Sequence, residues 1–513
     1  MKRYPLQHAM VLVCIGCMVG TSLFGAYRTV STPMLLDTSD SYSVRIFETS
    51  ADGHALTEVQ AARPCSDAIS IQIDTQARHQ SILGFGGSFT EASAYLLKVM
   101  SPAQRNRIIS AYFSDDGARY SLARTHINSC DFSRDHYAYA MIPGDTLLEH
   151  FDIQKDKNDI FPIIKQAQST STDGFRLIAS PWTAPPWMKD NTSWVGGKLL
   201  DTYRDTWALY YAKYIRACAD NGISIWGITV INEPHGNGDN WESMHFTPKE
   251  MTDFVQHHLG PTLVREGLSS VHILGYDQNR AGLREWVDEM YRDASSTKYF
   301  AGTAIHWYES TYEVFPKELR YAAEKAPGKY LIQTEACIDA EVPRWKDDAW
   351  YWREEATDWG WDWAPQEQKH LHPKYAPAHR YARDIIGCLQ NKVHGWIDWN
   401  MVLDRQGGPN WARNWCIAPI IVDPATDEVY LTPLFHVMCH FSKYIRPGAQ
   451  VVTSTSLNPD IMVVAAINPD KSVSVVAFNP TTQRHTLRVE LADRSVFVPI
   501  SGQALQTILF PPR

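Results

Sequence analysis

Short runs rich in apolar residues alternate with longer amphipathic stretches over most of this chain. The short runs lie at 122–127, 175–179, 226–231, 271–275, 301–305 and 329–334. The stretches at 101–113, 202–219, 248–264, 282–291, 375–390 and 433–444 predict helices, the third with a break at Gly260-Pro261. Strands that alternate with helices indicate a parallel sheet, and seven or eight such units fit a closed barrel better than an open sheet.

The two ends of the chain have a different pattern. Residues 43–47 and 69–73 alternate apolar and polar side chains, as half-buried strands do. Four more strand-like runs, at 451–453, 461–467, 472–478 and 486–491, are separated by turn signals. We therefore expect an α/β protein with a (β/α)8 TIM barrel at 81–445. Residues 27–80 and 446–513 should form an attached antiparallel β-sandwich.

Two segments predict loops. The glycines at 84–87 suggest a tight backbone loop, and their spacing is not that of a phosphate-binding motif. Residues 342–372 are polar and rich in Trp, which is typical of an elaborated loop over a site. Both segments fall within the predicted barrel.

Composition narrows the class of function. A chain of 513 residues suits a large barrel with an attached domain. Its 18 Trp residues favour a carbohydrate-handling protein, since aromatic faces stack on the apolar faces of sugars, although a Trp-rich core gives the same count. A net charge of −9 without a long basic run argues against a nucleic-acid partner.

The N-terminus resembles an export signal. Basic residues at Lys2 and Arg3 precede an apolar stretch at 9–26, which is near the lower length limit of a membrane span. We assign residues 1–26 to a signal peptide or an N-terminal anchor, and expect a secreted, periplasmic or lysosomal-type location. Two of the nine cysteines lie in this segment. The others are scattered and odd in number, so the sequence reveals no disulfide framework.

Two glutamates stand where buried strands are predicted to end. Glu233 follows the apolar run 226–231 and precedes Pro234, which cannot continue a central strand. Glu335 follows the run 329–334. Carboxylates at the carboxyl ends of barrel strands are typical of catalytic residues, and a pair of them is what glycoside hydrolysis requires. A surface or capping glutamate is the plainer alternative for Glu233.

The two carboxyl groups would need different protonation states. Glu233 would donate a proton to the leaving oxygen, and Glu335 would attack as a carboxylate. Arg124, on an early strand, is our candidate to hold the nucleophile ionised, with an ordinary barrel ion pair as the alternative. Asn232, beside the acid, could hydrogen-bond a sugar 2-hydroxyl.

Other polar and aromatic residues also fall at or beyond predicted strand ends. They are candidates for substrate binding, and for the Trp residues core packing is an even alternative. For the histidine, a neutral side chain near the barrel mouth is an equal alternative. The candidates are Asp131, Trp182, Trp399, Asn414, His306 and Tyr308.

No motif in the chain calls for a cofactor or a metal ion. The adjacent pair His257-His258 points in two directions on a helix. His370 and His372 lack the spacing that a zinc-binding helix shows. We therefore expect chemistry that uses side chains alone.

Several motifs, in order along the chain, resemble those of the glucosylceramidases of glycoside hydrolase family 30. They are GFGGSFTEA (84–92), NSCDFS (128–133), SPWTAPPWMK (180–189), NEP (232–234), HWY (306–308), TEAC (334–337), GWIDWN (395–400) and GGPNWARN (407–414). The resemblance implies a (β/α)8 barrel with a β-sandwich and retaining hydrolysis, with Glu233 as acid/base and Glu335 as nucleophile. It also implies that residues around the glucose include Asp131, Trp182, Asn232, Trp399 and Asn414.

The resemblance implies a terminal β-glucosyl substrate, with glucosylceramide as the first expectation. Such a glycolipid would bring the protein to a membrane surface or a lipid micelle. Segment 236–244 and the loop 342–372 depart from the animal enzymes and favour, as an alternative, a cleft for β-1,6-glucan or another polysaccharide. A non-catalytic carbohydrate-binding protein is the rival from another class. The oligomeric state stays open.

Overall fold

Eight parallel strands close into a barrel, in a computed structural model that describes residues 44–238, 240–339, 344–357, 365–492 and 494–512. The predicted segment 1–26 lies outside these residues. In chain order the barrel strands are Gly84–Phe89, Leu122–Ile127, Arg176–Pro181, Gly227–Thr229, His272–Asn279, Phe300–His306, Tyr330–Glu335 and Gly395–Asn400. The last strand pairs with the first, so the barrel has no open edge.

Helices surround the barrel strands. The α-helices are Glu91–Val99, Pro102–Phe113, Gln154–Asn158, Ile160–Thr170, Arg204–Asp220, Pro248–Phe254, Gly260–Arg265, Leu283–Met290, Ala294–Thr297, Pro316–Lys325, Pro377–Gln390 and Pro433–Ser442. Short 3-10 turns lie at Pro186–Met188, Asp201–Tyr203, Arg280–Gly282, Asp348–Trp352, Glu354–Thr357 and Lys369–Leu371. No helix of the described residues has the length and apolar character of a membrane span.

The segment predicted as a glycine loop is instead the first barrel strand. A Cβ atom on Gly86 would lie 1.6 Å from the carbonyl oxygen of Leu122 on the next strand. A Cβ on Gly87 would lie 2.7 Å from the side chain of Met401. These glycines therefore serve close packing of neighbouring chain segments, and not a tight turn.

The predicted break at Gly260-Pro261 is also wrong. The helix continues through a π-helical segment, Val255–Leu259, into Gly260–Arg265. A local π turn accommodates the proline, which has no N–H to donate. The absence of a side chain at Gly260 leaves room for the ring of Tyr299, which lies 2.4 Å from where a Cβ would be.

Both chain ends form a nine-stranded sheet beside the barrel. In sheet order its strands are Thr57–Val59, Arg45–Ser50, Ala504–Phe510, Val473–Asn479, Met462–Ile467, Gln450–Ser456, Ile69–Ser81, His485–Leu491 and Arg494–Ile500. The predicted α/β fold with an attached β-sandwich is thus confirmed. One pairing, between Ile69–Ser81 and His485–Leu491, is parallel, because the N-terminal strand enters the sheet between two C-terminal strands.

Alternate residues of the sandwich strands enter two different cores. Val463 and Ala465 face the interior of the sandwich. Val464 and Ala466 belong to the core of the barrel domain. Nδ1 of His440, on the last helix, lies 2.8 Å from the hydroxyl of Thr507, and Nε2 lies 2.9 Å from that of Thr49 on another sandwich strand. The sandwich is therefore packed firmly on the barrel helices.

Five short strands complete the fold at the carboxyl end of the barrel. Ile338–Asp339 pairs with Cys416–Ile417 as a two-stranded ribbon. Val402–Asp404, Ile420–Asp423 and Glu428–Leu431 form a three-stranded sheet. The ribbon joins the loop after the seventh barrel strand to the long loop after the eighth.

Candidate active site

Side chains inside the barrel form an apolar layer with a polar layer above it. The apolar layer consists of Leu83, Leu122, Ile178, Leu274, Ala304, Ile332 and Ile397. Side chains two positions further along a strand point to the same face. At these positions the strands carry Arg124, Ser180, His306, Thr334 and Trp399. The polar layer therefore lies at the carboxyl ends of the strands, below the loops.

Glu233 lies just beyond the fourth strand, in a left-handed backbone conformation with φ of 48°. Its N–H donates to the carbonyl oxygen of Asp277 at 3.0 Å, and the N–H of Asn232 donates to that of Pro181 at 2.7 Å. These two bonds fix the chain after the strand to both neighbouring strands. The carboxylate of Glu233 is mostly buried.

Glu335 ends the seventh strand, where the pairing with the sixth strand is irregular. One carboxylate oxygen, Oε1, accepts a hydrogen bond from the hydroxyl of Tyr308 at 3.0 Å. The other, Oε2, accepts a bond from Nη1 of Arg124. The carboxylate is held on both sides and its direction is fixed.

The two carboxylates lie close together. Single side-chain atoms of Glu233, His306 and Glu335 all lie within 4.8 Å of one another. Carboxyl groups of inverting glycosidases stand about 6.5–9.5 Å apart to leave room for a water, whereas those of retaining enzymes are about 5–5.5 Å apart. The nearest oxygens of the two carboxylates are thus at most 4.8 Å apart, which agrees better with the shorter of these two arrangements.

Arg124 lies at the centre of a fully buried polar network. Besides Glu335, it donates to Asn232 Oδ1 at 2.9 Å, to Asp277 Oδ2 at 2.7 Å and to Ser180 Oγ at 2.9 Å. Its guanidinium also lies 5.0 Å from the ring of Trp182. The buried charge is thus satisfied by two carboxylates and two neutral acceptors, as burial requires.

Asp277 is a central member of this network that the sequence analysis missed. It accepts hydrogen bonds from the hydroxyls of Thr229 at 2.7 Å and Thr334 at 2.6 Å, as well as from Arg124. Its other neighbour is Nε2 of His306, at 3.0 Å. These charges and hydrogen bonds outweigh the effect of burial and lower the pKa of Asp277. The sequence does contain a signal for this residue, because the apolar run 271–275 is followed by polar residues that include Asp277.

His306 touches two carboxylates at once. Its Nδ1 lies 3.2 Å from Oε1 of Glu233, and its Nε2 contacts Asp277. Burial lowers the pKa of His306, but the charges of Glu335 and Asp277, with hydrogen bonds to Asp277 and Glu233, raise it to about 9. The imidazole is therefore protonated at neutral pH and donates from both nitrogens.

Opposing effects act on the pKa of Glu335. Burial raises the pKa, whereas the positive charges of His306 and Arg124 lower it. The net direction is upward, since burial and the nearby Glu233 outweigh the cations. Arg124 thus contacts the predicted nucleophile and favours its ionised form, but it does not overcome the whole cost of burial.

A cavity of about 600 Å³ opens above these groups. Its wall includes eight of the residues singled out from the sequence: Asp131, Trp182, Asn232, Glu233, Tyr308, Glu335, Trp399 and Asn414. Arg124 and His306 are fully buried behind this wall and do not line it. Such a volume suits a small molecule.

Two pairs of side chains shape one end of the cavity. The rings of Trp182 and Trp399 are stacked, with centroids 5.1 Å apart. Asn414 donates from Nδ2 to Oδ2 of Asp131 at 3.0 Å. The second oxygen, Asp131 Oδ1, is buried without a hydrogen-bond partner. Burial and the charge of Glu335 raise the pKa of Asp131 well above its ordinary value.

The rest of the wall is formed largely by the loop after the fourth strand and by the end of the fifth strand. The loop belongs to segment 236–244, which the sequence indicated as part of a possible glycan cleft, whereas the end of the fifth strand was not foreseen. This second part of the wall consists of Gly236, Asn237, Gly238, Asn240, Trp241, Gln278 and Asn279, and two cysteines, Cys337 and Cys416, complete the lining. Among the described residues that line the cavity there is no aliphatic side chain.

The three atoms that lie within 4.8 Å of one another have the residue types of a metal site. The environment is unsuitable for a cation, however. A metal-bound imidazole must be deprotonated, and His306 has a pKa of about 9. Glu335 already accepts bonds from Arg124 and Tyr308. The cluster is therefore better suited to moving protons than to holding a metal ion.

Comparison with known proteins gives a consistent result. The glycosyl hydrolase family 30 TIM-barrel domain matches residues 82–445, and the family 30 beta sandwich domain matches residues 448–508. The chain is 32% identical over 463 residues to the lysosomal acid glucosylceramidase of Mus musculus, which covers 88% of this chain and 85% of that protein. It is 26% identical over 424 residues to the endo-1,6-beta-D-glucanase of Neurospora crassa, with 80% of each chain covered.

A solved structure extends the likeness to the whole fold. SrfJ from Salmonella typhimurium superposes with a TM-score of 0.80 at 30% identity, covering 92% of this chain and 100% of that one. The family domains together span nearly all of the barrel and most of the C-terminal strands of the sandwich. The protein is therefore a glycoside hydrolase, and the chain belongs to glycosyl hydrolase family 30.

Proposed function

We propose that this enzyme is a retaining β-glucosidase that removes a terminal β-glucosyl unit by double displacement. The observation that carries this proposal is the separation of at most 4.8 Å between a carboxylate oxygen of Glu233 and one of Glu335. A short separation of this kind supports a mechanism in which one carboxylate itself attacks, because an inverting pair stands further apart to leave room for a water molecule.

In the first step Glu335 attacks the anomeric carbon while Glu233 gives a proton to the departing oxygen. The glycosidic bond breaks, and a covalent glycosyl ester forms on Glu335. In the second step Glu233, now a carboxylate, takes a proton from a water molecule that attacks the same carbon. The ester bond then breaks and regenerates Glu335. Two inversions leave the anomeric configuration unchanged.

The side chains behind the cavity wall support this cycle. Arg124 and Tyr308 donate to Glu335 and aim its carboxylate, which favours attack along a single direction. His306, held by Asp277, donates to Glu233 and stabilises its carboxylate after the first proton transfer. We therefore assign Arg124 and His306 as positioning residues rather than sugar ligands.

The end of the cavity with the stacked Trp residues fits a glucose ring. Trp399 and Trp182 supply an aromatic surface, and Asp131 and Asn414 supply polar atoms beside it. The unpartnered Asp131 Oδ1 can accept a hydrogen bond from a sugar hydroxyl. Asn232, whose Oδ1 is taken by Arg124, has its amide nitrogen left for the 2-hydroxyl.

Glucosylceramide is the first candidate substrate. It is supported by the identity of 32% to a mammalian lysosomal acid glucosylceramidase over most of both chains. Hydrolysis would release glucose and ceramide, and the lipid would draw the enzyme to a membrane surface or a micelle. The same relationship and the apolar segment at 9–26 support an exported location, which N-terminal sequencing of the mature protein would test.

β-1,6-Glucan is the second candidate. The second part of the cavity wall carries Trp241 and several carboxamides but no aliphatic side chain among the described residues, which favours a polar leaving group such as a second sugar. Gln278 accepts a bond from the N–H of His235, and Asn279 accepts one from that of Tyr308. Their NH₂ groups are left to bind hydroxyls.

The experiment that decides is product analysis on two substrates side by side. Glucosylceramide in detergent micelles and linear β-1,6-glucan are each incubated with the enzyme and with a Glu335→Gln control. Release of ceramide and glucose, with the glucan intact, supports the first candidate. Cleavage of the glucan with an inert lipid supports the second. If neither substrate nor a simple aryl β-glucoside is hydrolysed, the proposed activity is wrong.

A further inference from the structure

Two cysteines of the cavity wall lie in sulfur-to-sulfur contact. Cys337 and Cys416 are not disulfide-bonded in this structure, and their Sγ atoms are 3.2 Å apart. A disulfide requires a distance of about 2.05 Å, so the atoms need to approach by only roughly 1.2 Å. Both residues are buried in the protein but line the cavity, which gives small molecules a route to them.

Each of these cysteines stands two positions after a residue of the site. Cys337 follows Glu335, and Cys416 follows Asn414. The strands that begin beside them, Ile338–Asp339 and Cys416–Ile417, pair as an antiparallel ribbon. The sulfur contact is therefore a direct link between the strand that carries the nucleophile and the loop that carries Asn414.

The cysteine pair also contacts Tyr308, which hydrogen-bonds the proposed nucleophile. The hydroxyl of Tyr308 lies 3.5 Å from Sγ of Cys337 and donates to Glu335 at 3.0 Å. A chemical change at Sγ of Cys337 therefore occurs next to the hydroxyl group that hydrogen-bonds Glu335. The other five cysteines outside segment 1–26, including Cys65, do not line this cavity.

We propose that Cys337 and Cys416 form a dithiol site that reacts with small-molecule disulfides and closes into an intramolecular disulfide. One thiolate attacks a sulfur of oxidised glutathione, forming a mixed disulfide and releasing one glutathione. The second thiolate attacks the protein sulfur of that bond and releases the second glutathione. The two protein thiols lose two electrons and two protons, and the glutathione disulfide is reduced to two thiols.

The closed disulfide fixes the Asn414 loop at one distance from the nucleophile strand. A disulfide between residues 79 positions apart lowers the conformational entropy of the unfolded chain far more than that of the native chain. The site should therefore survive heating longer in the oxidised protein than in the reduced protein. The proposal is independent of which glycoside the enzyme cleaves.

The test is chemical mapping of the full-length protein in a Cys65→Ser background, which removes the one cysteine outside segment 1–26 that is not buried. The folded protein is treated with oxidised glutathione, remaining thiols are alkylated, and peptides are analysed by mass spectrometry without reduction. We expect the peptides that contain positions 337 and 416 to be joined, with two hydrogens lost. Two alkylated thiols, or glutathione that stays on either cysteine, would overturn the proposal.

Matched variants separate the cross-link from other effects. Cys416→Ser and Cys337→Ser should each abolish the joined peptide and retain one glutathione on the remaining cysteine. Cys218→Ser, in the buried helix Arg204–Asp220, should leave the joined peptide unchanged. Residual activity after heating, measured before and after oxidation, should rise in the Cys65→Ser protein and not in Cys416→Ser. An equal rise in both proteins would show that the gain has another source.

Discussion

His306 donates to Glu233 from Nδ1, across 3.2 Å, while its other ring nitrogen lies 3.0 Å from Oδ1 of Asp277. The positive charge on this buried ring therefore lies against the proposed acid/base and is sustained by a carboxylate that never reaches the cavity. Asp277 also binds Arg124, which contacts Glu335. A single buried carboxylate thus supports the cations beside both proposed catalytic residues.

Removing the charge of Asp277 should harm stability and turnover together. In Asp277→Asn, Arg124 and His306 each lose a buried ionic partner, and breaking such a pair costs about 3–5 kcal/mol. Chemical denaturation should show a loss of this order, and kcat should fall even where the protein stays folded. Glu58→Gln, which removes the exposed partner of Arg45, should cost less than about 1 kcal/mol. Equal losses in the two variants would contradict the central place of Asp277.

Protonation of His306 should make stability fall as pH rises. Its pKa is raised from 6.5 to about 9 in the folded protein, so its contribution is complete below about pH 6.5 and is lost as pH rises through about 9. The difference in Tm between the wild type and His306→Gln should therefore shrink from pH 6.5 to pH 9.

The two glutamates should respond differently to substitution. Glu335→Gln removes the attacking oxygen charge and should lower kcat by a factor on the order of 10⁴ or more for every substrate. Binding of glucose-like inhibitors should persist, as measured by calorimetry. Unchanged turnover would rule out Glu335 as the nucleophile.

Glu233→Gln should discriminate between leaving groups. An activated aryl glucoside needs little proton donation, so its glycosylation rate should fall much less than that of an alkyl glucoside. Pre-steady-state kinetics with both glucosides measures this difference. A uniform loss across leaving groups would argue against a role as general acid.

Trp241 should contribute to binding of the leaving group. Replacement by Ala removes an aromatic face, and we expect kcat/KM for a glucan oligomer to fall by roughly fivefold, equivalent to about 1 kcal/mol. Hydrolysis of a small aryl glucoside should change little. Trp241→Phe retains an aromatic ring and should restore most of the loss. If both variants affect the two substrates equally, Trp241 acts on the fold of the loop instead.

Much of the site follows from a two-residue periodicity that is visible in the sequence. The patterns Leu122-x-Arg124, Ala304-x-His306 and Ile332-x-Thr334 place polar side chains on the inner face of strands whose preceding inner residues are apolar. The position of Glu233 and Glu335 after apolar runs is of the same kind. The local pattern is sufficient to predict these positions because alternate side chains of a barrel strand face the interior.

Asp277 could not be reached in that way. The pairing between the fifth and sixth strands shifts between Tyr276 and Gln278, so the alternation of faces is interrupted. Tyr276 and Asp277 both have positive φ values, which is uncommon for residues other than glycine and which the sequence pattern of this strand does not predict. The prediction of a loop at 84–87 is wrong for a related reason. The glycines there allow close packing against Leu122 and Met401, which are remote in sequence.

The central claim is that Glu233 and Glu335 act as a retaining pair. The most direct test is proton NMR of the glucose released from a β-glucoside in the first minutes of reaction, before its anomers equilibrate. A separation of at most 4.8 Å between their oxygens predicts β-glucose as the first product. Initial formation of α-glucose would contradict the account, because it requires a water molecule between the substrate and the second carboxylate.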